Sequence, residues 1–543
     1  MTVLTVADID RWNAEAVRQV FHAAQASAQV SFNTAEVLAS LPAFESWGGD
    51  AADAAGESNG DIRRELELNG DEKLVVGRAA ANAADGIDKV KADLAALRDE
   101  AESLGMVVDP VGNRVLPGPA LDGASPIEVE LKTMQLQAQL DAILVEANEV
   151  DEGLARAIDM TDGDEPIPDV SQDVVSQPLP EDPQQFNEFW EQLTQAEKDW
   201  LYAQDHSIGN HPGMPFEDKN HYNRMHLDEL TQSTQAEIDR LTQEHPEWAA
   251  GGTPTTANPN PPAYREWKQR WEAAHDRLDG YRAVQGELQS DDGVPRYLGL
   301  LDEEGHAAVS IGNPDTATRN ATFVPGTGQD LTRLQYSTED AEAMFQAALR
   351  ADSNLRVEDV SVTTWMGYDR PMNLAEAALP GYARDGGDDL AAFQEGMRAS
   401  HEGAQSINTV VGHSYGSTLV GAAASGGNEL SVDNVIAVGS PGMLVDNAGE
   451  LNLDPGADVY ATRARFDPIN VATGFSLGPN PTADSFGAVE LAAAPGPNTG
   501  PPILDLPSID AHSSYWDQGN PALLNMGAII AGQPPPHLSP PGG

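Results

Sequence analysis

The sequence predicts an α/β protein, a mostly parallel sheet with flanking helices, preceded by an all-α helical-hairpin or bundle region. Three observations lead there. Beyond residue 300, short β-branched runs alternate with amphipathic stretches, the pattern of a largely parallel sheet. The first 160 residues hold no tyrosine, much alanine and apolar positions at helical spacing. Between the strand-like INTVV and an Ala/Gly/Ser-rich helical pattern stands G-H-S-Y-G, residues 412 to 416.

The elements follow in chain order. Ile9, Ala16, Val20 and Ala24 mark one face of a first amphipathic helix. It ends near LPAFESWGGDAADAA, where Trp47-Gly48-Gly49 predicts a sharp turn into a second arm. That arm returns a seam at Val90, Leu94, Leu97, Ala101 and Leu104, in the alternating steps of four and three that packed helices use. Glycines at 56, 60, 70, 77 and 86 each weaken a helix interior by ~1 kcal/mol relative to alanine, which leaves room for a break in its first half. A third helix opens at Ser125-Pro126-Ile127-Glu128, a capping box with proline at the first helical position, and runs to about Met160. Residues 1–160 are therefore read as a helical hairpin or bundle, and 161–185, acidic and punctuated by prolines, as a linker. Helical signals resume over 186–290 and include the segment IGNHPGMPFEDKNHYNRMHL. From 291 to 532 the α/β pattern holds, with strands expected at Ala307–Ile311, Asn320–Val324, Val360–Thr364, Ile407–Val411, Asn434–Val438 and Val459–Ala464. Residues 533–543 read as a Pro-rich tail.

Charge and composition narrow the function. With 31 basic against 86 acidic side chains the formal charge is −55, which repels phosphate backbones and anionic lipid alike, so nucleic acid is not an expected partner. There is no cysteine, hence no disulfide and no thiolate chemistry. No apolar run approaches the ~20 residues of a membrane span, and the start MTVLTVADIDRWNAEAV has neither a basic n-region nor an apolar h-region. The chain is expected to be cytoplasmic, or exported without a cleaved signal peptide, with no stable membrane insertion.

A strand running straight into a helix through G-x-S-x-G holds the serine on a strained turn at the carboxyl edge of the sheet, and Gly412 and Gly416 remove side chains that would clash there. Ser414 is thus the candidate nucleophile. The related Walker loop needs a lysine that Gly416-Ser417-Thr418 lacks. A serine hydroxyl needs a base, and the base an anionic partner. In this kind of sheet the chain order is Ser, acid, His. Only His512 and His537 lie downstream of Ser414, and His512 in SIDAHSSYW is chosen because His537 sits in the tail. Asp467, directly after the strand-like VYATRARF, is the preferred acid, with Asp446, Asp454 and Asp510 as alternatives. The oxyanion donors are expected to be the backbone N–H of Tyr415 and Thr327, the latter from Gly326-Thr327-Gly328 after an early strand. Met366, Tyr368 and Met372, in MGYDRPMNLAEAAL, are expected to line an acyl pocket or form a lid.

These residues carry two resemblances. Residues 290 to 532 resemble an actinobacterial family of α/β-hydrolase domains of uncharacterised substrate, through VPGTGQD, TWMGYDRP, VVGHSYGS, VGSPG, FDPI and HSSYW in order. The resemblance implies a serine hydrolase of carboxylic esters with Ser414, Asp467 and His512 as its triad, and it attaches 186–290 to the hydrolase unit. The first 105 residues resemble the small Trp-x-Gly proteins exported by type VII secretion systems, although the first tyrosine is Tyr202 and His206 stands where that family's export signal has an acid. His206, His211, His221 and His226, with Asp205, Glu217 and Asp218, are residue types that bind zinc, but spacings of five fit neither a helical i, i+4 pair nor a zinc finger. No metal and no cofactor are therefore expected. Two functions follow: hydrolysis of a small-molecule or lipid ester, or an interaction protein binding a helical partner through residues 1–160 with the hydrolase fold as scaffold.

Overall fold

The computed structural model describes residues 4–39, 41, 49–121, 126–161, 171–254, 261–289, 292–328, 330–373, 376–469, 476–497 and 508–539. Two compact units divide the chain: Met1–Gln177 with Phe189–Leu201, and Pro178–Glu188 with Tyr202–Gly543.

In the first unit, α1 (Val6–Arg11) and α2 (Ala14–Ala39) lead to α3 (Asp50–Ser103), and a hairpin of β1 (Met106–Asp109) and β2 (Arg114–Pro117) precedes α4 (Pro126–Thr161). The Trp47-Gly48 turn and Ser125 of the expected capping box lie outside the described residues. No break divides α3; Gly56 and Gly60 face open space, whereas Gly70, Gly77 and Gly86 are points of close approach. A Cβ on Gly70 would lie 2.4 Å from the Phe32 ring and one on Gly86 would lie 2.5 Å from Val150, so neighbouring helices pack on the bare backbone. Contact of that kind offsets the ~1 kcal/mol that a helical glycine costs. The seam Val90, Leu94, Leu97 and Ala101 is buried against Leu136, Leu140, Ile143 and Ala147 of α4, with Met106, Val108 and Val115 of the hairpin closing the core. The hairpin itself was not expected; its turn places Asn113 at φ 52, a conformation asparagine tolerates. Residues 189–201 join this unit, dividing the body expected over 186–290. An ion pair of Arg78 with Glu197 at 2.7 Å, both side chains nearly buried, ties them to this unit.

The second unit is built on an eight-stranded sheet of order β10-β9-β8-β7-β5-β6-β4-β3. Its strands are β3 (Arg296–Leu301), β4 (Ala307–Ile311), β5 (Arg319–Val324), β6 (Val360–Met366), β7 (Ile407–His413), β8 (Asn434–Val438), β9 (Asp458–Thr462) and β10 (Val489–Leu491). All neighbours are parallel except β4, which is antiparallel to both β3 and β6. Successive residues of one strand face opposite layers. Val324, Val410 and Trp365 pack with Phe216, Phe393 and Leu419. Phe323, Val411 and Ile436 pack with Met344, Phe345, Leu523 and Met526. The covering helices are α5 (Phe216–Glu244), α6 (Pro262–Glu287), α7 (Leu334–Ala351), α8 (Gly387–Ser400), α9 (Tyr415–Ala423) and α10 (Pro521–Ile530).

Two strands escaped the sequence reading, and both are edges. In β3 the alternation is lost at a register shift between Leu298 and Leu300, where a Cβ on Gly299 would meet the Phe216 ring at 2.6 Å. Its outward backbone groups are met by side chains of the segment IGNHPGMPFEDKNHYNRMHL. Asn210 donates to Leu301 O (2.6 Å) and accepts from Leu301 N (2.8 Å). Asn220 accepts from Leu298 N, Asn223 donates to Leu298 O and Arg224 donates to Arg296 O. That is the physical reason this segment travels with the sheet. At the other edge, Leu538 of the tail bridges Leu491 antiparallel, with Ala492 N donating to His537 O and Ser539 N to Glu490 O.

Candidate active site

β7 delivers the chain to Ser414, whose φ of 53° and ψ of −127° place a non-glycine residue in backbone space costing on the order of 1–3 kcal/mol. α9 begins at the next residue. Three glycines make the turn fit. A Cβ would fall 2.6 Å from Ser417 Cα at Gly412, 2.1 Å from the Val324 carbonyl at Gly416, and 2.7 Å from Ser414 Cβ at Gly326. Below the turn, Ser414 N donates to Val438 O at 2.9 Å, and the Ser417 hydroxyl donates to Ser414 O and meets the Ser440 hydroxyl, each at 2.6 Å. The serine is thereby fixed relative to both β5 and β8.

The histidine and acid meet at the same edge, one strand over. His512 Nδ1 lies 2.8 and 2.9 Å from the two carboxylate oxygens of Asp467. Asp467 is fully buried and also accepts from Tyr515 Oη and, at 2.8 Å, from Ile469 N. Burial alone pushes this carboxyl up, but hydrogen bonding and charge from His512, with Tyr515 and Ile469 N–H, outweigh it and hold Asp467 below the usual range. A Cβ on Gly439, the residue after β8, would sit 3.0 to 3.2 Å from Asp467 Oδ2, Tyr515 Oη and His512 Cε1, so all three close on bare backbone. Of the alternative acids, Asp454 accepts from Arg398 and Asp446 N is bonded to Glu450; among the described residues only Asp467 reaches His512. No hydrogen bond joins Ser414 Oγ to His512.

Tyr415 opens α9, so its N–H has no acceptor within the helix. Thr327 follows Gly326 in the turn after β5, and that turn is pinned by Gly328 N donating to Pro371 O at 2.9 Å. Of the three residues expected at a pocket or lid, Tyr368 is buried and its hydroxyl donates to Pro325 O at 3.0 Å, bracing the loop beside Ser414. Met372 is half exposed. Met366, the last residue of β6, is buried in a cluster with Leu227, Leu230 and Tyr281.

Two residues near the site were not singled out from sequence. Tyr515 donates to Asp467 and accepts from Ala464 N at 3.0 Å; the signal was its place three residues after His512 in HSSYW. His413, the variable position of the elbow, lies with Nε2 2.9 Å from His512 O and its ring 4.8 Å from the His512 ring. Burial, with His512 beside it, lowers His413 to about 3, so it stays neutral and its Nε2–H donates to that carbonyl.

The sheet order and the strand–turn–helix at Ser414 define an α/β-hydrolase fold. An alpha/beta hydrolase family matches residues 302–476, and the family described as uncharacterised protein Rv0964c matches residues 42–187. The chain is 30% identical over 246 residues to the uncharacterized protein Rv0963c of Mycobacterium tuberculosis, covering 42% of this chain and 90% of that one, and it belongs to the same family. Uncharacterized protein Rv2079 of the same organism is 33% identical over 274 residues, 44% of this chain and 39% of that one, so the chain spans about two fifths of that relative's length. Among solved structures, a Pyrobaculum calidifontis esterase aligns with a TM-score of 0.25 and 12% identity over 50% of this chain and 99% of its own. Among the described residues no helix is long and apolar enough to cross a membrane.

Proposed function

We propose that the chain is a serine hydrolase of carboxylic esters, esterase- or lipase-like, working through an acyl-enzyme on Ser414. The observation that carries the reading is the Asp467–His512 pair closed on Gly439 beside a serine held at positive φ. In this reading His512 takes the Ser414 proton as Oγ attacks the ester carbonyl, and Asp467 stabilises the imidazolium. The oxyanion is held by the N–H of Tyr415 and the turn at Thr327. His512 then protonates the leaving alkoxide, and water, activated by the same imidazole, releases the acid. No metal or cofactor takes part in these steps. The substrate is a small-molecule or lipid ester reaching the site from solution, since the acidic chain disfavours anionic membranes.

The test is labelling by a fluorophosphonate probe, followed by a p-nitrophenyl ester series of rising chain length. Labelling of the intact protein and its loss in Ser414→Ala are expected; equal labelling of both would rule out Ser414 as the nucleophile.

A second reading, an interaction or secreted protein, draws support from the first unit. Val20, Val30 and Val37 of α2 and Met134 and Val145 of α4 are exposed on its long helices, apolar positions that suit a helical partner. Val20→Glu with Val30→Glu in the full chain should abolish partner capture and leave ester turnover intact; unchanged capture would dismiss those helices as the binding face.

A further inference from the structure

We infer that the second unit carries a binding site for a zinc-type divalent metal, formed by His206, His226 and Glu229. In the sequence, spacings of five among His206, His211, His221 and His226, taken with Asp205, Glu217 and Asp218, argue against zinc. The fold separates that set. His211 stacks on Phe186 at 3.6 Å, His221 is exposed on α5, and Glu217 accepts from Tyr297 Oη and Asn313. His206 and His226 converge instead, and the third group is Glu229, one helical turn beyond His226 on α5. The candidate ligand atoms of these three residues all lie within 4.8 Å of one another.

The geometry is close to what the ion requires. His206 Nδ1 is 2.6 Å from Glu229 Oε2, and His226 Nδ1 is 3.9 Å from the same oxygen. Tetrahedral zinc with bonds of about 2.0–2.1 Å needs ligand atoms about 3.3 Å apart, so the first contact lengthens by about 0.7 Å, the second shortens by about 0.6 Å, and the two imidazoles, within 4.8 Å of each other, draw together by about 1.5 Å at most. The independent sign is His226. Its side chain is nine-tenths buried, yet Nδ1 has no hydrogen-bond partner, an expensive omission for a buried imidazole nitrogen unless something binds it. His206 is held flat against Tyr202, with ring centroids 4.8 Å apart, and so reaches α5 in a set orientation. Two imidazoles and a carboxylate form a zinc-type donor set, and the exposed side of His206 and Glu229 leaves the fourth position to solvent.

The site has a structural use. His206 lies four residues before Asn210, whose side chain closes the outward groups of Leu301. A metal joining His206 to α5 therefore clamps the loop that covers the β3 edge. The inference is independent of the ester-hydrolase reading.

The experiment titrates the chelator-treated full chain with Zn2+ and with Co2+, following stoichiometry, the Co2+ visible absorption bands and Tm. One equivalent should bind and raise Tm. Glu229→Gln, an exposed change that leaves the core intact, should weaken binding at least about tenfold, and His226→Ala should abolish it. His221→Ala, outside the cluster, should bind as the unmodified chain does. Should His226→Ala fail to fold, Glu229→Gln decides. No Zn2+ uptake by the unmodified chain, or equal uptake by Glu229→Gln and His221→Ala, overturns the proposal.

Discussion

Replacing Tyr515 by phenylalanine removes one oxygen atom that holds two groups at once. The hydroxyl donates to Asp467 Oδ2 and accepts from Ala464 N. The side chain is fully buried, so water does not take its place. A hydrogen bond to a charged group contributes about 1.5–3 kcal/mol, and a buried N–H left unpaired costs about 1–3 kcal/mol. The two overlap, and a stability loss near 3 kcal/mol is expected. Asp467 would then be oriented by Ile469 N and His512 alone. If half the lost charge-assisted bond is felt as looser positioning of the imidazole, about 1.4 kcal/mol, kcat falls about tenfold. KM should stay nearly constant, because Tyr515 lies behind Asp467 rather than against substrate. The assay is steady-state hydrolysis of a p-nitrophenyl ester, with fluorophosphonate labelling rate and urea denaturation measured on the same preparation. A variant that loses stability while keeping kcat and labelling rate would refute the positioning role and leave Tyr515 as packing alone.

Three further outcomes follow from the same geometry. Ser414→Gly should be inactive yet more stable than Ser414→Ala by about 1 kcal/mol in urea denaturation, because glycine occupies φ 53° without strain; equal stabilities would show that the turn is unstrained. Gly416→Ala should lower both Tm and activity, since its Cβ would meet the Val324 carbonyl at 2.1 Å, and a variant of normal Tm would contradict that packing. His413 is lowered to about 3 from an ordinary 6.5, so between those values the unfolded chain binds a proton that the folded chain refuses. Stability should be full above about pH 6.5 and fall toward pH 3 by up to ~1.4 kcal/mol per unit, and His413→Gln should flatten that slope in urea midpoints measured from pH 7 to 5.

The parts legible in the sequence were those whose local pattern and tertiary role agree. The central strands alternate or run apolar because they are buried on both faces, and the elbow announces itself because Gly412 and Gly416 are needed wherever such a turn sits under a neighbouring strand. Asp467 and His512 could be ranked by chain order, but what separates Asp467 from Asp454 is a partner, Arg398, 56 residues away from the latter. Tyr515 and His413 were passed over for the same reason: their contacts are across the sheet edge, and no local periodicity reports them. Gly70 and Gly86 of α3 misled because helix propensity prices a glycine in isolation, whereas Phe32 and Val150 occupy the space they leave. Edge strands β3 and β10 were missed because one carries a bulge and the other is three residues long.

Those two edges have a consequence for association. An open strand edge is a template on which another chain can add hydrogen bonds, the usual route to strand exchange and fibrous stacking. Here side-chain amides of Asn210, Asn220 and Asn223 occupy the template on β3, and the chain's own last described residues occupy it on β10. Among the described residues, a sheet edge closed in this way leaves fewer backbone groups free for another strand to pair with.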